Sequence, residues 1–368
     1  MKILHVAETI KGGVATVINE LLSYQEKNND ICELAVLIPE EQKEEIYFHG
    51  KTKVKLFKRK KRGVKSLFKL LIAFKKELKG NDYDVIHLHS TFAGFVCRLF
   101  LLFSRRNVKV VYCPHAFSFM MKTSKYKKLI FATIERCLQH STDKIICVSE
   151  YEKKVAIDYK IKESKIIVIY NGVTDDNHLP ILKENKNDFL TFLFIGRFDY
   201  QKGYDVLTLA IDKLNNEGFT ANYVIVGDYV SENKKDIEFN NKNVIYKGWL
   251  DKNEINKLYE SCDVLLMPSR WEGFAMVPVE AFKHGVPVIA SDIPPFLEII
   301  EDRKNGLIFG NEDVEGLYTK IKEISQFDLT NLSSNAREKY KLFFTGERMA
   351  SEINKLYIAR NDGSNDFR

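Results

Sequence analysis

No run of apolar residues in this chain is long enough to cross a bilayer. The longest, residues 92–103, is interrupted by Arg98, whereas a spanning helix needs about 20 apolar residues. The first residues, MKILHVAETIKGG, hold neither a long apolar segment nor a cleavage site, so no signal peptide is expected. Cysteine is sparse. None of the six, Cys32, Cys97, Cys113, Cys137, Cys147 and Cys262, forms a CxxC pair, and most lie in apolar runs. That pattern fits buried thiols in a reducing compartment rather than a disulfide framework or a zinc site. There is no GxGxxG, which argues against NAD or FAD, and no GxSxG, which leaves a serine hydrolase unsupported. RNP-like, KH-like and zinc-knuckle patterns are missing too, so nucleic acid is not an expected partner.

What remains is a globular composition. The 368 residues are 45% hydrophobic and 29% charged, enough for two domains of ordinary size. The net charge of +6 is unevenly spread: residues 1–180 carry 32 Lys and Arg against 20 Asp and Glu, and the remainder 24 against 30. The first half should therefore favour an anionic partner or surface.

Short apolar runs alternate with helix-period segments. Strands are expected at 2–7, 32–38, 85–89, 108–113 and 144–148, then at 190–195, 223–226, 244–246, 263–267, 287–290 and 307–309. Amphipathic stretches such as 14–24, 64–78, 205–215 and 254–261 lie between them. Near-continuous apolar strands alternating with helices predict parallel sheets covered on both faces. The pattern breaks at residues 174–188, a polar segment that reads as a linker between two doubly wound, Rossmann-like α/β domains facing a cleft.

Three motifs lie at strand ends. Gly12-Gly13 follows the first strand and opens a helix; it is either a plain βα turn or a place where a ligand reaches free N–H groups. Gly196-Arg197 and Lys202-Gly203 follow the first strand of the second domain. There cations point into the crevice where α/β ligands bind, unless they are a solvated pair. The third motif runs from Pro268 to Ala281. Glu272 and Gly273 are expected on a loop, with Pro278 starting a helix and Glu280 in its first turn. Such a loop offers N–H groups to a phosphate and two carboxylates to hydroxyls.

Glu272 and Glu280 have seven residues between them. Together with Gly196-Arg197, Lys202-Gly203, His115 and Gly12-Gly13, this E(x7)E spacing resembles the family-4 retaining glycosyltransferases of the GT-B fold, over nearly the whole chain. The resemblance implies a first, acceptor-binding domain of residues 1–174 completed by a C-terminal helix at about 347–368. A nucleotide-sugar donor domain would span 188–346. Arg197 and Lys202 then look like the pair that binds the donor diphosphate. Glu272, with the N–H groups of Gly273 and Phe274, looks like the group holding donor-sugar hydroxyls, and Glu280 resembles the ribose-binding carboxylate. His115 matches the histidine that touches the transferred sugar, and Gly12, Gly13 and Gly196 allow close approach of the donor. The reaction implied is retaining transfer without a metal ion or cofactor, with two alternatives: a GT-B-fold sugar-nucleotide epimerase, or a non-catalytic binder of anionic surfaces. The sequence departs from the family pattern at Thr174, after Asn171-Gly172-Val173, and at Tyr229, after Gly227-Asp228.

Residues 51–80 hold thirteen Lys and Arg and one acid, Glu77. Leu67, Leu70, Leu71, Phe74 and Leu78 recur at helical spacing, as in a sheet-covering helix with a basic outer face. Phe117–Lys122 and Lys125–Phe131 mix basic residues with aromatics and methionines expected at the surface. These features predict a cytoplasmic enzyme held peripherally on the inner face of the cell membrane, taking a lipid-linked glycan acceptor. His87 and His89 share one face of a strand, but no Asp/His cluster accompanies them in the sequence. They read as satisfied strand-end histidines rather than metal ligands. Asp82-Tyr83-Asp84 reads as a turn, and Trp249 either as a nucleobase neighbour or as a core residue.

Overall fold

The computed structural model describes residues 1–47, 50–59, 63–104, 107–175, 189–229 and 243–359. It forms two compact units, Met1–Thr174 with Thr345–Arg368, and Asp175–Phe344. From residue 176 to 188 the expected linker lies outside the described residues, as do residues 360–368 of the expected C-terminal helix.

The first unit runs β1 (Lys2–Ala7), α1 (Gly13–Gln25), β2 (Glu33–Pro39), β3 (Lys53–Phe57), α2 (Val64–Gly80) and β4 (Val85–His89). It continues with α3 (Thr91–Leu102), β5 (Lys109–Cys113), α4 (Lys125–Leu138), β6 (Lys144–Cys147), α5 (Glu150–Asp158) and β7 (Ile166–Val168). Among the described residues the strands make a seven-stranded parallel sheet in the order β3-β2-β1-β4-β5-β6-β7. Crossovers of one hand put helices on opposite faces either side of β1 and β4, where the order reverses.

One face packs on α2, α3 and α4, which lie side by side. Leu70, Phe74 and Leu78 of α2 and Ala93 and Cys97 of α3 meet Leu4, Val6, Ile86 and Leu88 of the sheet. Burying each large apolar side chain stabilises the unit by about 1.5–3 kcal/mol. Arg98, inside the apolar α3, is fully buried because Glu135 and Tyr112 receive it. Its Nη2 lies 2.7 Å from Glu135 Oε2 and its guanidinium 3.7 Å from the Tyr112 ring centroid.

Two strands escape the sequence pattern. β3 lies within the basic segment as an edge strand, its Lys53 paired to Glu33 at 2.8 Å, and an edge strand needs only one apolar face. β7 is three residues long, too short to show a period. Phe117 and Phe119, expected at the surface, are buried instead and stack with centroids 4.7 Å apart in the core beneath α4. Cys97, Cys113, Cys147 and Cys262 are buried free thiols, while Cys32 and Cys137 are exposed.

The second unit runs β8 (Thr191–Ile195), α6 (Tyr204–Asn216), β9 (Asn222–Val226), β10 (Val244–Gly248), α7 (Lys252–Ser261) and β11 (Val264–Met267). There follow α8 (Met276–Lys283), β12 (Val288–Ser291), α9 (Pro294–Ile299), β13 (Gly306–Phe309), α10 (Val314–Glu323) and α11 (Leu329–Phe343). Its parallel sheet is ordered β10-β9-β8-β11-β12-β13 among the described residues, reversing between β8 and β11. The chain then returns to the first unit as α12 (Gly346–Ile358), which packs on α1. Among the described residues, no helix is long and apolar enough to cross a membrane.

Candidate active site

In the second unit the sequence motifs converge where the strand order reverses, at the carboxyl ends of β8 and β11. Gly196 directly follows β8, and the loop it opens carries Arg197 and Lys202 to the start of α6. Gly203, the residue before α6, has φ +66°, and a Cβ there would strike the carbonyl of Pro268. Glycine at this position therefore lets the β8 loop lie against the β11 loop. As a result Lys202 Nζ stands 2.6 Å from Glu272 Oε1, which also accepts the Ser269 hydroxyl at 2.9 Å. Arg197 donates to Gln201 Oε1 at 2.8 Å and lies 3.1 Å from Asp199 Oδ2.

A framework the motifs did not reveal supports these groups. Arg270 is buried and forks onto Asp205 at 2.6 and 2.7 Å. It also donates to Tyr200 O at 2.8 Å and stacks 3.7 Å over the Tyr200 ring. Lys202 N–H donates to Asp199 Oδ1, and Gln201 Nε2 to the carbonyl of Trp271. The signal for these partners was their adjacency in sequence: Ser269 and Arg270 precede Glu272, and Asp199 and Gln201 precede Lys202.

Gly273 and Phe274 lead into α8, whose residue before the first turn, Ala275, gives no side-chain cap, and whose first turn has no acid. Its leading N–H groups are thus available to an anion. The helix begins at Met276, two residues before Pro278, because a proline among the first N–H positions forfeits no intrahelical bond. Glu280 consequently sits in the second turn, not the first. Its Oε2 accepts the hydroxyl of Tyr259 at 3.3 Å, and burial pushes that phenol well above its ordinary value. Trp249 is 59% exposed, so it is not a core residue.

The first unit holds Gly12, Gly13 and His115, again beside its own point of strand reversal. Gly12 has φ +56° and precedes α1, which has neither a side-chain cap nor an acid in its first turn; Gly13 is its first residue, and both glycines are exposed. His115 follows β5 at φ +52° and Ala116 at φ +88°, left-handed backbone that non-glycine residues adopt at a cost of order 1–3 kcal/mol each. The Ala116 N–H is held by Glu152 Oε1 at 3.0 Å.

His87 and His89 do belong to a histidine cluster, contrary to the sequence reading. Parallel register places His5 of β1 beside His87 of β4, a long-range pairing invisible to local spacing. His5 Nδ1 lies 3.0 Å from His89 Nε2, and His89 Nδ1 lies 3.1 Å from His115 Nε2. His5 Nε2 meets Gln25 Oε1 of α1 at 2.8 Å, and His87 Nδ1 meets the hydroxyl of Tyr357 of α12 at 2.6 Å. Burial lowers all four histidines: His5 and His115 to about 4, His87 and His89 well below the usual range. Ligand atoms of His5, His87 and His89 lie within 4.8 Å of one another. The 3.0 Å between His5 Nδ1 and His89 Nε2 is a hydrogen-bond distance, with one of the two nitrogens carrying the proton. The turn Asp82-Tyr83-Asp84 is structural: Asp84 Oδ2 accepts the N–H of Lys2 at the start of β1.

Two family models match, "Glycosyl transferases group 1" over residues 177–357 and "Glycosyltransferase Family 4" over residues 11–177. An uncharacterized 41.2 kDa protein of the cps region of Klebsiella pneumoniae is 42% identical, over 97% of this chain and 98% of its own. The Escherichia coli UDP-Gal:alpha-D-GlcNAc-diphosphoundecaprenol alpha-1,3-galactosyltransferase is 28% identical over 79% of each chain. The crystal structure of Anabaena HepE with UDP and glucose superposes with a TM-score of 0.75 at 18% identity, covering 98% of this chain and 100% of that one. With two doubly wound parallel sheets and both family matches on its two halves, the chain belongs to the group 1, family 4 glycosyltransferases of the GT-B fold.

Proposed function

We propose that this glycosyltransferase moves a sugar, with retention of configuration and without a metal ion, from a nucleoside-diphosphate donor to a lipid-linked glycan in capsule or O-antigen assembly. The observation that carries the reading is the Lys202–Glu272 pair at the joined ends of β8 and β11, 2.6 Å apart. Charge develops on the departing diphosphate during transfer. Fixed cations and N–H groups aimed at it stabilise the transition state without reorganisation. Arg197, Lys202 and the start of α8 supply such groups, while Glu272 and Glu280 supply acceptors for sugar and ribose hydroxyls. Retention rests on the family likeness. The assembly role and the lipid-linked acceptor rest on the Klebsiella and Escherichia relatives.

The surface of the first unit supports access to such an acceptor. Helices α2 and α4 and the residue just after α3 present exposed Phe68 (64%), Tyr126 (74%) and Phe103 (82%) among Lys65, Lys69, Lys76, Lys125 and Lys128. Apolar side chains set among lysines suit docking to an anionic leaflet.

The test is a thermal-shift panel of UDP-, GDP- and ADP-sugars without added metal, followed by transfer assays with the responding donor. A rise for one base, lost in Arg197→Ala, with the product's anomeric configuration matching the donor's by NMR, is expected. A folded protein that responds to no nucleotide sugar refutes the reading.

A further inference from the structure

The ring contacts of the first unit form one directed chain: Gln25, His5, His89, His115. Gln25 presents its amide oxygen to His5 Nε2 at 2.8 Å, while its Nε2 faces Asn354 Oδ1 of α12 at 3.3 Å. An amide oxygen only accepts, so His5 carries its proton on Nε2. A neutral His5 is then an acceptor at Nδ1, and His89 donates to it from Nε2 across 3.0 Å. By the same step His89 accepts at Nδ1, and His115 donates from Nε2 across 3.1 Å. Burial keeps every ring neutral, with Tyr357 of α12 and Cys113 of β5 the nearby titratable groups and Glu152 of α5 held by N–H groups.

We propose that Gln25, acting through His5 and His89, locks His115 in the Nε2–H tautomer, so that Nδ1 is presented as a hydrogen-bond acceptor for a sugar hydroxyl. Gln25, His5 and His89 are positioning residues: they lie in the sheet and α1, and they act through the one ring of the chain that is only partly buried. A neutral acceptor grips a hydroxyl and adds no positive charge beside the anomeric carbon, where positive charge develops during transfer. It would not hold a phosphate oxygen, which needs a donor. The ligand half of this inference rests on the transferase reading above; the tautomer half does not.

The experiment is a long-range proton–nitrogen correlation spectrum of the full chain labelled with 15N-histidine, near pH 7, for wild type and Gln25→Met. Wild type is expected to show His5, His89 and His115 as neutral Nε2–H tautomers. Gln25→Met keeps the volume but removes the acceptor, so His115 should gain an Nδ1–H population. Transfer should fall about tenfold while nucleotide affinity stays unchanged. A wild-type His115 that is charged, or protonated at Nδ1, overturns the proposal: a charged ring offers no acceptor, and an Nδ1–H ring means that the relay runs the other way, with Gln25 facing His5 through its amide nitrogen. An unchanged His115 tautomer in folded Gln25→Met overturns it too. If that variant does not fold, the wild-type spectrum decides alone. Since the spectrum needs no substrate, failure of the transferase reading stays distinguishable.

Discussion

Lys202 Nζ lies 2.6 Å from Glu272 Oε1, so the cation assigned to the donor diphosphate and the carboxylate assigned to the donor sugar neutralise each other in the unliganded protein. Both side chains are largely buried. Partner removal therefore leaves a charge with little solvent around it, one that will seek a ligand of opposite sign.

This relationship gives opposite signs for two substitutions. Glu272→Gln frees Lys202 and should tighten binding of the bare nucleoside diphosphate by about tenfold, one charge-assisted contact's worth. Transfer should fall by about 10²–10³ because the sugar loses its acceptor. Lys202→Ala should weaken the nucleotide and lower transfer by a similar factor, with circular dichroism unchanged. Isothermal titration with the nucleotide decides; weaker binding in Glu272→Gln would show that the carboxylate does not compete with the ligand for Lys202.

Arg270 should matter for stability more than for chemistry. It joins Asp205 of α6 to the loop after β11 through two bonds of 2.6 and 2.7 Å and reaches the carbonyl of Tyr200. Arg270→Met is expected to lower unfolding free energy by about 2 kcal/mol, the scale for hydrogen bonds to charged groups. Urea unfolding with and without nucleotide measures this. A variant as stable as wild type would mean that the loop is held by its other contacts, among them Gly203 against Pro268, Gln201 on the Trp271 carbonyl and the Lys202–Glu272 pair.

Much of the architecture was legible because parallel strands buried on both faces announce themselves as apolar runs, and because Gly196, Lys202 and Glu272 sit at strand ends. What escaped depends on distance in sequence. Strand β3 was hidden because Lys53 and Lys55 alternate with apolar residues inside a charge run. Its pairing partner, β2, is needed to see it as an edge. Phe117 and Phe119 were misplaced because two aromatics beside lysines look the same whether they face solvent or fold back under α4. The histidine relay was unreadable for the strongest reason: His5, Gln25, His89 and His115 come from the interior of β1, from α1, from the end of β4 and from the turn after β5. Only the register of β1 on β4, and the left-handed turn at His115, bring them together.

The α2–α3–α4 face makes a salt-dependent prediction. Lys65, Lys69 and Lys76 are exposed beside Phe68 and Ile72, and each cation near an anionic surface contributes about 1 kcal/mol. Reversing all three to Glu should abolish co-sedimentation with phosphatidylglycerol vesicles, and Phe68→Asp should weaken it. Nucleotide binding should not change in either variant. Wild type that stays in the supernatant at low salt would remove the membrane from the proposed function.

The neutral histidines should make the first unit sensitive to mild acid. Their folded values lie below the unfolded value of 6.5, His5 and His115 at about 4 and His87 and His89 well below 6.5, because burial penalises the charged rings. The unfolded chain therefore binds more protons below about pH 6.5. The stability these groups contribute is complete above that value and is lost as the pH falls toward 4. Each proton taken up only on unfolding costs about 1.4 kcal/mol per pH unit, so the four rings should remove about 5 kcal/mol between pH 6 and pH 5. Carboxylates titrate lower, near about 4, which separates the two effects. Urea midpoints at pH 7.5, 6 and 5 give the slope, and His87→Leu, which removes a ring whose Nε2 has no hydrogen-bond partner among the described residues, should reduce it by about a quarter. A midpoint that is flat from pH 7.5 to 5 would mean that the rings carry their protons in the folded protein, and the direction of the relay would fall with it.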